Sequence, residues 1–223
     1  MSNDKTIGVI LSGAGYLDGA EIQEAVCALL ALSDAGVTTR FFAPNVSLVE
    51  IDHQKGEPSG GERNVLTEVA RITRGNVEDI AAISGADVDG WVIPGGFGAA
   101  KNLCDFAEKG ADATANKDVS RVVREALAAN LPIGACCIAP ALLAVITKKS
   151  GPKLTLTIGN DEGTAKAIAS LGASHQDCPV DDVVVDAQHK VVTAPAYMYG
   201  DAPLSGVNAG IKKMVDQVVA WAE

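Results

Sequence analysis

Short β-branched runs alternate along this chain with segments of helical period, and that alternation restricts the possible folds more than any other feature. "TIGVILS" precedes "EIQEAVCALLALSDAG", where Ile22, Val26, Leu29 and Ala25, Leu32 recur at helical spacing and Gly36 supplies the stop. "TTRFFAP" reads as a second strand, "NVLTEVARITRG" as an amphipathic helix, and "VDGWVIPGGFG" as a short apolar strand ending in a glycine turn. "DVSRVVREALAAN" is a helix leading into the strand "LPIGACC", which the helix "APALLAVI" follows. "KLTLTIG" and "EGTAKAIASLGA" repeat the strand–helix pattern. "DDVVVDAQHKVVTAP" alternates like a hairpin around Gln188, and "GIKKMVDQVVAWA" closes the chain as a helix. Strands separated by helices predict an α/β sandwich with a mostly parallel central sheet covered on both faces. "NVSLVEIDHQKGEPSGGER" is polar and turn-rich, and reads as an insertion or a mobile loop. No repeat and no linker divides the chain, so one domain is expected over 1–223, with a polar insertion near 45–64.

Composition narrows the function classes. At 223 residues a folded chain buries about 70% of its unfolded surface, enough for a large core. A formal net charge of −10 argues against nucleic acid as a partner, because backbone phosphates need a basic footprint. No apolar run reaches the ~18 residues that span a bilayer, so no membrane partner is expected. "MSNDKTIGVI" lacks the basic region, apolar core and cleavage site of a signal peptide. The cysteines, Cys27, Cys104, Cys136, Cys137 and Cys178, are odd in number and scattered, which suits free thiols in a reducing cytoplasm. Adjacent Cα atoms lie only ~3.8 Å apart, too close for an ordinary Cys136–Cys137 bridge. There is no C-x-x-C, and His53, His175 and His189 stand alone in sequence, so neither a metal nor any other cofactor is expected.

The junction "PIGACCIAPALLA" concentrates the chemistry. Ligands of such sheets bind beyond the carboxyl ends of the strands. A nucleophile on a sharp strand-to-helix turn needs small residues two positions before and after it. Centring on Cys137 gives Ala135 and Ala139, whereas centring on Cys136 gives Gly134 and the β-branched Ile138. Pro140 then falls in the first helical turn, where its missing N–H costs least. The spacing selects Cys137, and a helix N-terminus is expected to lower its thiol pKa. Cys136 should point to the other side of the strand, into packing. The alternative is that both are small buried hydrophobes. Gly95 and Gly96 in "IPGGFG" are candidate oxyanion donors on a neighbouring strand end, although Pro-Gly-Gly alone is simply a turn. Asp18 and Glu21 have capping-box spacing. Glu24 has no such role, and is either a carboxylate partner of the thiol or a solvated surface group.

Together "ILSGAGYLDGAEIQEAV", "RNVLTEVARITRG", "DGWVIPGGFGAAKNL", "CIAPALL", "LTIGNDEGTA" and "CPVDDVVVD…VVTAPAYM" resemble the ElbB group of the PfpI/ThiJ superfamily, from the first strand to the last helix. The resemblance implies a flavodoxin-like α/β sandwich (class I glutamine amidotransferase-like), often assembled as a homodimer. It also implies Cys137 as nucleophile, Glu24 as the carboxylate within its reach, and Gly95 and Gly96 as oxyanion glycines. With Ile138 and Asn64 these glycines make up the expected oxyanion- and substrate-binding set, Arg63 and Asn64 bordering the pocket. Many members carry His directly after the cysteine; here Ile138 stands there, which puts a Cys-His-Asp/Glu triad in doubt. The implied activity is a cofactor-independent glyoxalase that converts small 2-oxoaldehydes (glyoxal, methylglyoxal) to 2-hydroxy acids. Two alternatives stand beside it. One is a non-catalytic redox-sensing or regulatory protein whose cysteine oxidises to a sulfinic acid. The other is a glutamine amidotransferase domain, disfavoured because no His-x-Glu pair follows the cysteine.

Overall fold

The β-branched runs become one seven-stranded sheet in a computed structural model that describes residues 4–222. In chain order the strands are β1 (Thr6–Ile10), β2 (Thr38–Ala43), β3 (Ser47–Asp52), β4 (Glu57–Asn64), β5 (Glu78–Asp79), β6 (Gly90–Ile93), β7 (Ile133–Cys136), β8 (Thr155–Leu156), β9 (Ser174–His175), β10 (Val184–Asp186) and β11 (Val191–Ala194). The helices are α1 (Ile22–Asp34), α2 (Val65–Ile72), α3 (Phe97–Lys101), α4 (Phe106–Lys109), α5 (Lys117–Ala128), α6 (Ala139–Thr147), α7 (Glu162–Ser170) and α8 (Leu204–Trp221). The sheet order is β10-β11-β7-β6-β1-β2-β5, parallel except for the β10–β11 hairpin. The chain runs outward from β1 to β2 and β5, then returns to β6 on the other side of β1. The order therefore reverses between β1 and β6, the place where open α/β sheets leave a crevice.

Strand alternation divides the core into two layers. Ile10, Trp91, Ile93 and Ile133 face α5, α6 and α7, packing with Val122, Leu142, Leu143 and Ile168. Val9, Val92 and Val192 face α1, α2 and α8, packing with Ala28, Leu32, Val69, Met214 and Val218. Every residue of α6 is buried, from Ala139 to Thr147. Its run is apolar from Ala139 to Ile146, and the Thr147 hydroxyl donates back to Leu143 O at 3.0 Å, as an interior helix requires.

Four local expectations change. The polar stretch read as an insertion or mobile loop forms the antiparallel hairpin β3–β4, paired from Ser47↔Asn64 to Asp52↔Glu57 with an irregularity between Val49 and Ile51. Backbone hydrogen bonds make that ladder, and composition does not report them. Of "KLTLTIG", only Thr155–Leu156 is strand, and it pairs with β9 outside the central sheet. Side chains have taken its amides: Thr155 N–H donates to Asp186 Oδ2 at 2.9 Å and Thr157 N–H to Thr193 Oγ1 at 2.9 Å. Helix α1 turns a different face inward, burying Glu24, Ala25, Ala28, Ala31 and Leu32 while Ile22 and Val26 remain 47% and 52% exposed. Helix α8 begins at Leu204, well before "GIKKMVDQ". No helix among the described residues is long and apolar enough to cross a membrane.

Candidate active site

The carboxyl ends of β6, β7 and β11 lie side by side, with Ile93 opposite Ala135 and Ala194 opposite Cys136. Cys137 is the first residue past β7 and adopts φ +59°, the left-handed region that costs a non-glycine residue about 1–2 kcal/mol. Its N–H donates to Ala194 O at 3.0 Å, which pins the corner to β11. Ile138 follows in helical conformation without a capping side chain, and Pro140 occupies the first turn of α6. The first amides of α6 are thereby left for something other than a cap. The strand alternation breaks at the positive φ. Cys136 does not sit across the sheet from Cys137; both belong to the α1/α8 layer, and both are buried.

Glu24 lies under this corner, fully buried. Its helix starts with Glu21, whose carboxylate accepts from Glu24 N–H at 2.6 Å. The Glu24 side chain thus points inward, across the β1/β6 crevice. Its Oε2 accepts from Gly95 N–H at 3.0 Å and its Oε1 from Tyr197 N–H at 3.0 Å. The Cys137 side chain lies beside it across the Gly95 turn, close enough for each group to act on the other's proton affinity, and Cys136 Sγ stands 3.8 Å from Oε2. Burial, opposed by these amides, raises the Glu24 carboxyl from its ordinary 4.5 to about 7. Burial and the Glu24 charge push the Cys137 thiol well above its ordinary value, against the N–H groups of Gly96 and Ile138 that point at its sulfur. This corrects the expected depressed thiol: two amides at a helix start do not offset complete desolvation beside a carboxylate. Thiolate and carboxylate exclude one another here, so the pair is built to share one proton.

The glycine turn also changes roles. The Gly95 N–H is committed to Glu24 rather than to the pocket, so the amides facing the sulfur are those of Gly96 and Ile138. What Gly95 supplies is space: a Cβ there would lie 2.3 Å from the Cys137 Cβ and 2.7 Å from Glu24 Oε2. Gly96 needs φ +91°, and a Cβ on it would meet Glu21 N at 2.3 Å.

A cavity of about 340 Å³ opens above Cys137, walled by Tyr16, Phe97, Ile138, Tyr197 and Met198, with Glu21, Gly96 and Thr164 completing the lining. Among the described residues Glu21 is its one charged lining residue, and no lysine, arginine or histidine lines it.

Asn64 is not at this cavity. It caps α2, accepting from Thr67 N–H at 3.0 Å and donating to Asn45 Oδ1 at 2.8 Å. Arg63 is also engaged elsewhere, paired through Nη2 with buried Asp18 and through Nη1 with Glu68 at 2.7 Å. Asp18 forms no capping box with Glu21; it accepts from Arg63 and from Ile51 N–H at 2.9 Å. None of the histidines serves the thiol. His53 accepts from Leu17 N–H at 3.2 Å and shares Nδ1–H with Ile51 O at 3.0 Å, which ties the hairpin to the Tyr16 loop. His175 sits against Ile158 N–H, and His189 pairs with Asp186 at 2.9 Å. Glu21, read in the sequence only as a capping group, also lines the cavity, and Tyr16, Phe97, Thr164, Tyr197 and Met198 carry no individual mark there. "AYM" directly after the β11 proline was the available signal for the last two.

No protein-family profile matches the chain. Among curated proteins it is 46% identical over 224 residues to the human "Glutamine amidotransferase-like class 1 domain-containing protein 3, mitochondrial", covering 96% of this chain and 82% of that protein. It is 32% identical over 232 residues to the zebrafish "ES1 protein, mitochondrial", covering 96% and 84%. Both names are mitochondrial, in contrast to the cytoplasmic setting expected from the free cysteines. Among solved structures it is similar to an isoprenoid biosynthesis protein with an amidotransferase-like domain from Ehrlichia chaffeensis, with a TM-score of 0.91, 38% identity and coverage of 97% and 99%. Glyoxalase III from Candida albicans shares the fold, with a TM-score of 0.64 at 14% identity and 98% coverage of each chain.

Proposed function

The chain belongs to the family of glutamine amidotransferase-like class 1 (ES1) proteins, and from that premise we propose that it is a cofactor-independent, glyoxalase-like enzyme acting on small 2-oxoaldehydes. The observation that carries the proposal is the buried Cys137–Glu24 pair under a cavity whose lining contains no cation. A thiol that shares its proton with a carboxylate attacks a neutral carbonyl without a histidine. An amino acid such as glutamine brings a carboxylate that this lining cannot pair, which disfavours the amidotransferase chemistry of the family name.

In the proposed reaction the Cys137 sulfur bonds to the aldehyde carbon as its proton passes to the Glu24 carboxylate. The carbonyl electron pair moves onto oxygen, where the Gly96 and Ile138 amides receive it. Glu24 returns the proton to that oxygen, giving a hemithioacetal. The C1 proton then leaves to Glu24, giving an enediolate, and is replaced at C2 while the hydroxyl proton passes from the C1 oxygen to the C2 oxygen. C1 is thereby oxidised and C2 reduced with no outside oxidant. The product is a 2-hydroxyacyl thioester, and water cleaves it to the 2-hydroxy acid and the free thiol.

Self-association fits the same chain. Ile22, Val26 and Leu30 are 47%, 52% and 55% exposed along one line of α1, an apolar stripe consistent with a homodimer. Light scattering of wild type and Val26→Glu tests this: the variant should shift toward monomer.

The deciding assay gives purified protein glyoxal, methylglyoxal and glutamine in turn without added cofactor, with products read by NMR. Glycolate from glyoxal and no ammonia from glutamine are expected. Absence of a hydroxy acid with active-pair residues intact removes the proposal.

A further inference from the structure

A second apolar hollow of about 340 Å³ adjoins the Cys137 cavity, and the two share Phe97, Ile138 and Thr164 as a common wall. Beyond that wall the hollow is lined by Phe106 and Ala107 of α4 and Ala167 of α7, with small residues between them. Among the described residues, none of its lining side chains is charged. Phe97 remains 47% exposed although its neighbours Gly98 to Ala100 are buried. The Ile138 side chain packs against both core layers and stands at the boundary between the hollows.

Building on the reaction above, we infer that this hollow is a tail subsite and that the preferred substrates are 2-oxoaldehydes carrying an unbranched apolar chain. The geometry sets the direction. The aldehyde carbon must meet the Cys137 sulfur with its oxygen toward the Gly96 and Ile138 amides. Glu24 is fully buried beneath, so the substituent on C2 leaves away from it. The apolar exit runs over Ile138 and Phe97, into the hollow. Glyoxal has no such substituent and leaves that surface wet. Each methylene that replaces water there should raise kcat/KM by about threefold until the hollow is full, somewhat less than complete burial would give because the hollow is open.

Two readouts test this on the full chain. The first is kcat/KM across glyoxal, methylglyoxal, and the propyl to hexyl 2-oxoaldehydes. The ratio of pentyl to methyl should exceed about tenfold and collapse toward one in Ala107→Asp, which puts a charge at the hollow's edge. The second needs no turnover: the rate of Cys137 alkylation by N-hexylmaleimide relative to N-ethylmaleimide, normalised to glutathione and located by mass spectrometry. That ratio should also exceed one in wild type and fall in Ala107→Asp. If glyoxal is turned over but both ratios are flat, the tail subsite is wrong and the glyoxalase-like reading stands. If no aldehyde is turned over but the maleimide ratio behaves as expected, the reaction is wrong and the subsite stands. A ratio that survives Ala107→Asp unchanged overturns the subsite in either case.

Discussion

Beneath the cavity, Glu24 is held by two backbone amides, Gly95 N–H and Tyr197 N–H, each from a different strand end. Beside the cavity, the β3–β4 hairpin is held by side chains: Arg63 on Asp18 and Glu68, and His53 on the Leu17 amide. Both arrangements bury carboxylates, yet their chemistry differs. Asp18 and Glu68 each have a guanidinium, which compensates their charge directly. Glu24 has no cation, only N–H dipoles, thiols and the like charge of Glu21 around it, and burial lifts its carboxyl to about 7. A carboxylate denied a cation keeps a proton to trade, whereas one given a cation becomes a structural pin. Backbone donors also cannot be mutated away, so the floor is altered only by changing its own side chains.

The strongest way to break the floor is Cys137→Ser. Turnover of glyoxal should fall by at least about a thousandfold, since a hydroxyl of far higher pKa cannot use so weak a base, while melting shifts little. A serine variant with more than a tenth of wild-type activity would remove the covalent step.

Next is Glu24→Gln, which should cost about 100- to 1000-fold in kcat. Wild-type kcat/KM should rise with pH through about 7 as Glu24 loses its proton and becomes able to accept the thiol's. In the variant that limb should vanish. Stability moves the opposite way with pH. The Glu24 carboxyl holds its proton to about 7 when folded and to its ordinary 4.5 when unfolded. The folded state therefore binds more protons between those values. The stabilisation is whole below about pH 4.5 and is lost as pH rises through about 7, on the order of 3 kcal/mol. Denaturant titrations at pH 4.5 and 7.5 read this slope, and Glu24→Gln should flatten it. The variant should also lose about 1–3 kcal/mol at low pH, because its amide nitrogen faces a backbone N–H that needs an acceptor.

The hairpin should respond differently. Arg63→Leu leaves Asp18 buried without its guanidinium, while Glu68 keeps Arg71 at 3.0 Å, and should cost about 2–4 kcal/mol, read as a lowered denaturation midpoint. Activity should drop only a few-fold, through looser seating of the Tyr16 loop, with the pH limb unmoved. A displaced limb would mean the two regions are electrostatically coupled.

The contrast also marks what a sequence reveals. The parallel sheet was legible because strand and helix periods differ and no hairpin turn separates most strands. The Cys137 corner was legible because a sharp turn demands Ala135 and Ala139, and because Pro140 tolerates only a first helical turn. The donors to Glu24 were not, since an amide has no residue type; Tyr197 N–H is aimed by Ala196 at φ +47°, a conformation nothing in "PAYM" announces. Glu24 itself was found only with help from the resemblance, because the apolar spacing of Ile22 and Val26 pointed to the wrong face of α1. Asn64 and Arg63 were misplaced because a polar stretch carries little sign of which partners its side chains will meet. The sign of the thiol shift was misjudged for a related reason: a helix N-terminus is visible in sequence, but the depth of burial is not.

The smallest expected effect lies between the two cysteines. Cys136 is fully buried, with Sγ 3.8 Å from Glu24 Oε2, close enough to influence the carboxyl yet with no proposed bond to substrate. Cys136→Ala removes a sulfur from a packed layer and should cost about 1–2 kcal/mol, with most activity kept. Cys136→Ser is the sharper variant. A hydroxyl donates a stronger hydrogen bond than a thiol, and donation to the carboxylate favours its charged form. The acid limb of kcat/KM should then move below its wild-type position by a few tenths of a pH unit, with the alkaline plateau unchanged. The direction of that shift separates two pictures of the floor. A downward shift means Glu24 works as a carboxylate whose proton affinity its neighbours set. An unmoved limb in Cys136→Ser, together with a flat profile in Glu24→Gln, would place the titrating proton on Glu24 but outside the reach of Cys136. A limb that moves upward would show that the hydroxyl displaces a backbone donor instead of adding one, and the two amides would then be the weaker part of the floor.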